Sequence, residues 1–364
     1  MNITSFDNIV VSIPLNQPVK ISHNTYTTRE FNILLIHTNE GVTGISYARG
    51  GAIVHAAIEE LGQLLIGEDP MMKESLWQKM YHSHLLQGRK GAVLRAISAI
   101  DIALWDITGK LLQQPVGRLL GGYRTEIPCY VSFSGYYLDH ELKRLAEETE
   151  ELLKRGFNAF KLRVGARSIS EDVERVKLVR SIVGDNHSIM VDANNSYNDP
   201  TLAIRAGRQF EALNVLFMEE PTMPDNMDGS AQIAQALDMA IATGEQECTR
   251  WGFKEIIDKK SADILQPDVT VVGGISEWMK ISSMASAWHL PIMPHYFFDI
   301  SIHCAAASVA TICMEYFPSD SPVISFDRML EQPLTAINST LKMPEEPGIG
   351  LRLNMREVAA LRVK

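Results

Sequence analysis

Three fragments decide the fold of this chain: IMVD at residues 189–192, LFME at residues 216–219 and MAIATGE at residues 239–245. Each is a short apolar run, typical of a strand, that stops at an acid. The acids are Asp192, Glu219 and Glu245, and their spacing is nearly constant, since 219 − 192 = 27 and 245 − 219 = 26. One strand, one helix and two loops need about that many residues. The spacing therefore predicts successive parallel strands that present three carboxylates side by side.

The three predicted strand ends favour a metal site. A single acid after a strand is more often a helix N-cap or a solvated loop residue. Three hard oxygen ligands that converge on one point are what Mg²⁺ prefers, with water or substrate completing the octahedron. Because the acids recur at one spacing, we interpret Asp192, Glu219 and Glu245 as ligands of Mg²⁺.

The composition is that of an ordinary globular protein. The chain has 364 residues, of which 46% are hydrophobic and 21% charged, enough for one large or two ordinary domains. Its net charge of −10 argues against a nucleic-acid partner, because nonspecific affinity for phosphates comes from clustered Lys and Arg. No uninterrupted apolar run is long enough to span a bilayer, and the N-terminus lacks the pattern of a signal peptide.

The four cysteines form no C-x-x-C pair, which predicts free thiols in a reducing compartment. We therefore expect a cytoplasmic protein with no nucleic-acid partner and no membrane partner. We also expect a homo-oligomer.

Residues 1–125 predict an α+β domain. Strands at residues 9–13, 31–36 and 42–47 form an antiparallel meander, and helices follow at residues 52–65, 74–84 and 92–112. A polar loop at residues 16–29 separates the first two strands, and it contains Lys20, His23 and Arg29. A loop of this length in a compact domain is often a lid, so we expect these three side chains to bind substrate.

Residues 126–318 predict a (β/α) barrel of seven to eight strands, the TIM type, because strands alternate with helices throughout. A doubly wound open sheet is the alternative fold. The sequence has no G-x-G-x-x-G fingerprint, which makes this alternative less favoured. The tail at residues 319–364 has no such alternation and is expected to pack on the first domain. The predicted barrel strands lie at residues 129–132, 159–163, 189–192, 216–219, 239–245, 264–268, 291–295 and 311–315.

The predicted strand ends gather polar residues at one rim of the barrel. Strands six and seven are neighbours, so Asp268 is placed to accept a hydrogen bond from His295 and fix its tautomer. A buried histidine is more often structural, but its place at a strand end favours catalysis. The rim residues are Ser132, Lys161, Arg163, Asp192, Asn194, Glu219, Glu245, Asp268, His295 and Glu315.

The rim motifs together resemble the enolase superfamily, mandelate racemase subgroup, over essentially the whole chain. They are K-x-R at residues 161–163, VDAN at 191–194, MEEP at 218–221, TGE at 243–245, PD at 267–268 with VGG at 272–274, PH at 294–295 and ME at 314–315. The resemblance implies an N-terminal capping domain over a barrel mouth and Mg²⁺ on Asp192, Glu219 and Glu245. It also implies removal of the proton alpha to the carboxylate of a small substrate, for which this superfamily uses a Lys or His base together with Mg²⁺.

The resemblance assigns roles to the other rim residues. Lys161 adds positive charge at the substrate carboxylate, and Glu315 hydrogen-bonds it when protonated. His295, held by Asp268, is the base. Substrate contacts are expected from Ser132 and Asn194.

Arg163 departs from the family pattern, which usually has a second Lys as base at this place. A guanidinium stays protonated and is a poor proton acceptor. A racemase needs a base on each face of its substrate, whereas a β-elimination needs one. We therefore predict a lyase that dehydrates a sugar acid, an aldonate or aldarate, to a 2-keto-3-deoxy acid. The alternatives are a racemase, epimerase or cycloisomerase of hydroxy acids and, more remotely, a non-catalytic metal-binding barrel.

Overall fold

The computed structural model describes residues 1–21, 24–133, 141–321 and 326–363. The strands are β1 (Ile3–Ile21), β2 (Asn24–Thr38), β3 (Thr43–Arg49), β4 (Glu126–Ser132), β5 (Ala159–Arg163), β6 (Ser188–Asp192), β7 (Val215–Glu219), β8 (Ala240–Thr243), β9 (Ile264–Leu265), β10 (Met314–Tyr316) and β11 (Thr340–Lys342). The α-helices are α1 (Gly51–Gln63), α2 (Lys73–Ser83), α3 (Ala92–Leu111), α4 (Val116–Leu119), α5 (Glu141–Lys154), α6 (Ile169–Val183), α7 (Pro200–Glu211), α8 (Met227–Ala236), α9 (Thr249–Lys259), α10 (Gly274–Ala287), α11 (Phe298–Ala307) and α12 (Met355–Leu361). Within these ranges, no helix combines the length and apolar character that crossing a bilayer requires.

The first part of the chain is an antiparallel sheet of order β1-β2-β3 that packs on α1 and α3. The predicted meander and its three helices are confirmed, but the predicted loop at residues 16–29 is wrong. Instead β1 and β2 continue through it as a two-stranded ribbon, with Val19 opposite Tyr26 and Lys20 opposite Thr25. The run of Thr and Tyr at residues 25–28 favours a strand. Residues 22 and 23, including the predicted substrate contact His23, lie outside the described residues.

The barrel prediction is confirmed by parallel pairing in the order β10-β4-β5-β6-β7-β8-β9. Two parallel bridges close the ring, from Leu265 to Ile292 and from Ile292 to Thr311. The sixth, seventh and eighth strands are shorter than predicted. Pro267, Pro291 and Pro294 lack the amide proton that a longer ladder needs, which explains the sixth and seventh.

Local sequence fixes the helices that lie before and between the first acid-ended strands. Helix α6 begins with a capping box, in which Ser168 accepts from the amide of Glu171 and the Glu171 carboxylate accepts from the amide of Ser168. Helix α7 begins with Asp199 as N-cap and Pro200 at the first helical position. Each helix turns the chain back, so that the next parallel strand ends at the same rim.

The interior of the barrel is filled directly below this rim. The layer consists of Tyr130, Met190, Phe217, Ala242, Ile264 and Met293, all from different barrel strands. Side chains two residues apart on a strand point to the same face. Ser132, Asp192, Glu219, Gln266 and His295 each lie two positions beyond a member of this layer, so they face the interior at the rim.

The first sheet is fixed to the barrel and to the tail by buried polar and aromatic contacts. The Tyr47 hydroxyl donates to the Asp299 carboxylate at 2.8 Å, and the Tyr47 ring stacks on Phe326 with centroids 3.5 Å apart. At the end of the chain, the amide of Val363 donates to the carbonyl of Val10 at 2.8 Å. The tail also adds β11 to the edge of β4.

Candidate active site

The strand register brings the predicted rim residues next to one another. Arg163 lies opposite Asp192, and Asp192 lies opposite Glu219 on the next strand. Ser132 lies opposite Lys161, and it is buried. The K-x-R side of the rim therefore adjoins the first two of the three predicted metal ligands.

Lys161 is buried between two carboxylates. Its Nζ lies 2.6 Å from Oε2 of Glu219 and 2.7 Å from Oε1 of Glu315, and all three side chains are at most 2% exposed. Burial lowers the pKa of Lys161, but Glu219 and Glu315 outweigh burial and raise it well above its usual value. The ammonium is therefore a fixed positive charge at the rim.

Glu315 acts as an ion-pair partner in this arrangement. Oε2 accepts a hydrogen bond from the amide of Tyr296 at 2.9 Å, and Oε1 faces Lys161. Burial raises the pKa of Glu315, but the charges of Lys161 and His295 overcome it and lower the pKa to about 2. With these partners Glu315 is ionised and accepts hydrogen bonds. The hydrogen bond expected from Glu315 to the substrate carboxylate would require a protonated Glu315 that donates.

Glu219 offers one oxygen to the interior of the barrel. Oε2 accepts from both Lys161 and the Gln266 amide, each at 2.6 Å. Oε1 is buried and has no hydrogen-bond partner in the described part of the chain. Burial raises the pKa of Glu219 to about 8, with Lys161 opposing the shift and Asp192 adding to it. A buried, unsatisfied carboxylate oxygen beside other carboxylates lacks a cation.

His295 lies between two carboxylates. Its Nδ1 is 2.9 Å from Oδ2 of Asp268, and its Nε2 is 3.1 Å from Oε2 of Glu245. Oδ1 of Asp268 accepts from the amide and hydroxyl of Thr270, which fixes the carboxylate. Burial lowers the pKa of His295, but Glu245 and the hydrogen bond to Asp268 overcome it and raise the pKa to about 10.

The family of the chain follows from two matches that cover most of it. Residues 5–121 match the N-terminal domain of the mandelate racemase / muconate lactonizing enzyme family, and residues 144–358 match the Enolase C-terminal domain-like family. The chain belongs to the mandelate racemase group of the enolase superfamily. The resemblance read from the rim motifs is thereby confirmed.

Similar proteins in this superfamily are named for different activities. An arabinonate dehydratase of Saccharolobus solfataricus is 38% identical over 326 residues, which cover 86% of each chain. A 3,6-anhydro-alpha-L-galactonate cycloisomerase of Streptomyces coelicolor is 31% identical over 359 residues, 96% of this chain and 97% of the relative. A crystal structure of a racemase from Streptomyces coelicolor with bound magnesium superposes with a TM-score of 0.93 at 30% identity, covering 99% and 100% of the two chains.

In this enolase superfamily member, each predicted magnesium ligand has a polar partner within the chain. Among the described residues, no three Asp, Glu, His or Cys side chains gather closely enough to hold a metal ion as they stand. Glu245 turns to His295, and Glu219 is bonded to Lys161 and Gln266. The donor set nevertheless fits a hard divalent cation, since it offers carboxylate oxygens and the unsatisfied Oε1 of Glu219. The three-ligand site stays a prediction.

The predicted substrate contacts differ in what surrounds them. Asn194 donates to Asp192 through both its amide and its side chain, at 2.8 and 2.9 Å, so it holds a predicted metal ligand. Arg163 is 6% exposed, and Nε and Nη1 of its guanidinium are buried without partners in the part of the chain that the structure describes. Arg29 is buried in β2. Lys20 lies in β1, and the structure does not describe its side chain.

Sequence reasoning missed Gln266 and the pair formed by Glu220 and Gln246. Gln266 holds Glu219, as described above. The Gln246 amide donates to Glu220 at 3.1 Å and to Asn195 at 2.7 Å, which links the loops after β6, β7 and β8. Glu220 follows Glu219 directly in MEEP, and Gln266 precedes Asp268 in Q-P-D. A polar residue at the interior-facing position before Asp268 was the available signal.

Proposed function

We propose that this protein dehydrates a sugar acid, an aldonate or aldarate, to a 2-keto-3-deoxy acid. The observation that carries the proposal is that the described residues at the rim include one competent base. His295 is fixed by Asp268 and directs Nε2 at the acid cluster, whereas Arg163 stands where a second base would be needed. An elimination uses one base, so the arrangement suits it.

Side chains of the protein account for each proton transfer in the elimination. Nε2 of His295 takes the proton from C2 of the substrate, and the C3 hydroxyl leaves as water when the same imidazolium returns that proton. The enol that remains tautomerises to the 2-keto acid. Asp268 keeps Nδ1 protonated throughout and stabilises the imidazolium.

The negative charge that develops on the substrate carboxylate needs positive charge beside it. Mg²⁺ held by Asp192, Glu219 and Glu245 would act as the Lewis acid there. Lys161 supplies a second, permanent charge from the barrel interior. Once Glu245 is no longer directed at His295, the largest influence that raises the pKa of this histidine is lost, and the imidazole becomes a better proton acceptor.

A cycloisomerase, epimerase or racemase of hydroxy acids is the second candidate. It is favoured by the named cycloisomerase that is 31% identical over nearly the whole chain. Both candidates begin with loss of the same α-proton, and they differ in whether water leaves.

The deciding experiment incubates the protein and Mg²⁺ with a library of aldonic and aldaric acids in D₂O. We expect a 2-keto-3-deoxy product, detected with semicarbazide, from at least one acid. Incorporation of deuterium at C2 without a keto product would support the isomerase instead. If no acid loses or exchanges its α-proton, the catalytic proposal is wrong.

We also propose that the protein acts in the cytoplasm as a homo-oligomer. All four cysteines are free thiols, which suits a reducing compartment. Leu85 and Trp251 line one surface groove and are 42% and 46% exposed, as expected of a subunit contact. Light scattering of the purified protein tests the second statement, and a monomeric mass would refute it.

A further inference from the structure

The loops that follow β6, β7 and β8 adjoin the three predicted magnesium ligands, and the first two of these loops are joined through their backbones. The amide of Asn195 donates to the carbonyl of Glu220 at 2.9 Å, and the amide of Tyr197 donates to the carbonyl of Pro221 at 3.1 Å. The pairing between β6 and β7 therefore continues beyond the strands and holds these two loops in one register.

The loop that carries Glu245 is joined to the other two in a different way. The last backbone bond on this side runs from the amide of Glu220 to the carbonyl of Ala242, at 2.9 Å. Among the described residues, no backbone hydrogen bond joins residues 244–247 to the loops after β6 and β7. A side chain makes the connection instead, because Nε2 of Gln246 donates to Oδ1 of Asn195 at 2.7 Å and to Oε2 of Glu220 at 3.1 Å. An amide nitrogen has two protons, so both are used in this bridge.

The two acceptors of this bridge have a strained backbone. Asn195 has a φ of 60° and Glu220 a φ of 40°, which are values of the left-handed region. Asn tolerates this region, whereas Glu is found there much less often. Such strain persists where the surrounding contacts determine the conformation. Gln246 binds the side chains of both residues, so it helps to hold both loops in place.

The spacing of the three loops bears on which cation the acids accept. Mg²⁺ requires nearly ideal octahedral geometry with oxygens at about 2.0–2.1 Å, whereas Ca²⁺ accepts more irregular sites at about 2.3–2.6 Å. Groups outside the ligand set orient the ligands and tune the metal. Gln246 follows Glu245 directly in the chain, so the bridge fixes the backbone of this predicted ligand relative to the loops after Asp192 and Glu219.

We propose that Gln246 is a positioning residue that sets the spacing of Glu245 from the other two predicted ligands, and that it thereby favours Mg²⁺ over larger divalent cations. The inference rests on the proposed metal site and goes beyond it, because Gln246 acts through the backbone of its neighbour and not as a ligand. Its role differs from that of Gln266, which binds the carboxylate of Glu219 directly.

The test is a calorimetric titration of the variant Gln246→Leu with Mg²⁺ and, separately, with Ca²⁺. Leu has a similar size, carries no charge and cannot donate to Asn195 or Glu220. We expect the affinity for Mg²⁺ to fall by about 10- to 100-fold. The affinity for Ca²⁺ should fall less, so the preference shifts toward Ca²⁺. Gln232→Leu, at an exposed position on α8, is the matched control and should change neither affinity.

A second variant shows whether the bridge itself is responsible. Asn195→Gly removes one acceptor, and glycine adopts the left-handed backbone without strain. We expect Asn195→Gly to weaken Mg²⁺ binding as well, and the double variant with Gln246→Leu to lose less than the sum of the two single losses. Additive losses would show that the two residues act separately and would overturn the inference.

The remaining outcomes separate this inference from the metal assignment. Unchanged Mg²⁺ affinity in Gln246→Leu, or an equal loss for both cations, would overturn the positioning role and leave the metal site standing. A wild-type protein that binds no Mg²⁺ would overturn both. If Gln246→Leu fails to fold, as judged by circular dichroism, the titrations of Asn195→Gly with the two cations decide the inference.

Discussion

Nδ1 of His295 is bonded to Oδ2 of Asp268 at 2.9 Å, which leaves Nε2 as the nitrogen that faces the acid cluster. The other oxygen of Asp268 is held by Thr270, so the carboxylate has little freedom to turn. A carboxylate on Nδ1 fixes one tautomer and raises the basicity of the opposite nitrogen. This pair is the feature on which the proposed chemistry of the rim depends.

Replacement of His295 by Asn should nearly abolish dehydration, because the side chain keeps similar size and loses the proton acceptor. Loss of a general base costs about 10²–10⁴ in rate, and more when no other group replaces it. The measurement is kcat on the best acid from the library, with calorimetry to show that Mg²⁺ still binds. His289→Asn, at an exposed position after α10, is the control and should retain full activity. A fully active His295→Asn variant would refute the assignment.

Arg163 should matter less than His295 if it supplies charge and hydrogen bonds only. We expect Arg163→Ala to reduce kcat/KM by at most about 100-fold, the value of one or two charge-assisted contacts. Arg163→Lys should recover part of this loss. A racemase with two bases predicts another result, in which Arg163→Ala loses turnover of one enantiomer and retains α-proton exchange with the other. An inactive Arg163→Ala beside an active His295→Asn would reverse the two roles.

The barrel was predictable because the regular spacing of its acid-ended strands is a local property of the sequence. Helix α3 was predicted at residues 92–112 and is observed at Ala92–Leu111, because its apolar residues recur at helical spacing. The ribbon formed by residues 16–21 and 24–29 was not predicted, because polar side chains give no apolar alternation and the pairing is decided by the partner strand. Gln266 was missed for a related reason. Its role depends on a contact with Glu219, 47 residues away.

Gln266 should control the affinity for Mg²⁺, because it and Lys161 hold Oε2 of Glu219 and leave Oε1 facing inward. Loss of such an outer contact typically costs about 10- to 100-fold in metal affinity or activity. We expect Gln266→Leu to weaken Mg²⁺ binding in a calorimetric titration by this factor, with kcat largely restored at saturating Mg²⁺. Gln232→Leu, at an exposed position on α8, is the control. Unchanged affinity together with a low kcat would instead place Gln266 in the chemical step.

Removal of divalent cations with EDTA should abolish activity, and Mg²⁺ or Mn²⁺ should restore it, because the carboxylates lack a cation of their own. Binding to the folded state alone also stabilises it, by about 2.7 kcal/mol at 100 times Kd. The melting temperature should therefore rise with Mg²⁺ concentration. The variant Asp192→Asn should lose most of this rise. Full activity after exhaustive chelation would contradict the metal assignment.

The burial of His303, which is remote from the proposed chemistry, should lower the free energy of unfolding in mild acid. Its side chain is fully buried in α11, where Nδ1 accepts from the amide of Gly117 and Nε2 donates to the carbonyl of Ile349, both at 3.1 Å. Burial lowers the pKa of His303 from 6.5 to about 4. A proton on Nδ1 would meet the Gly117 N–H, so the folded state resists protonation.

The sign of this effect follows from which state binds the proton. Above pH 6.5 His303 is neutral in both states and has no pH-dependent effect. Between pH 6.5 and about 4 the unfolded chain binds a proton that the folded protein does not. The free energy of unfolding therefore decreases as the pH decreases, by about 3 kcal/mol in total. Below pH 4 both states are protonated and the loss is complete.

Urea unfolding at pH 7, 5.5 and 4.5 measures this loss of stability. His303→Gln is the comparison, because Gln keeps one acceptor and one donor. The difference between wild type and His303→Gln cancels the titration of all other groups. That difference should change with pH across this window, and parallel curves for the two proteins would show that His303 does not contribute.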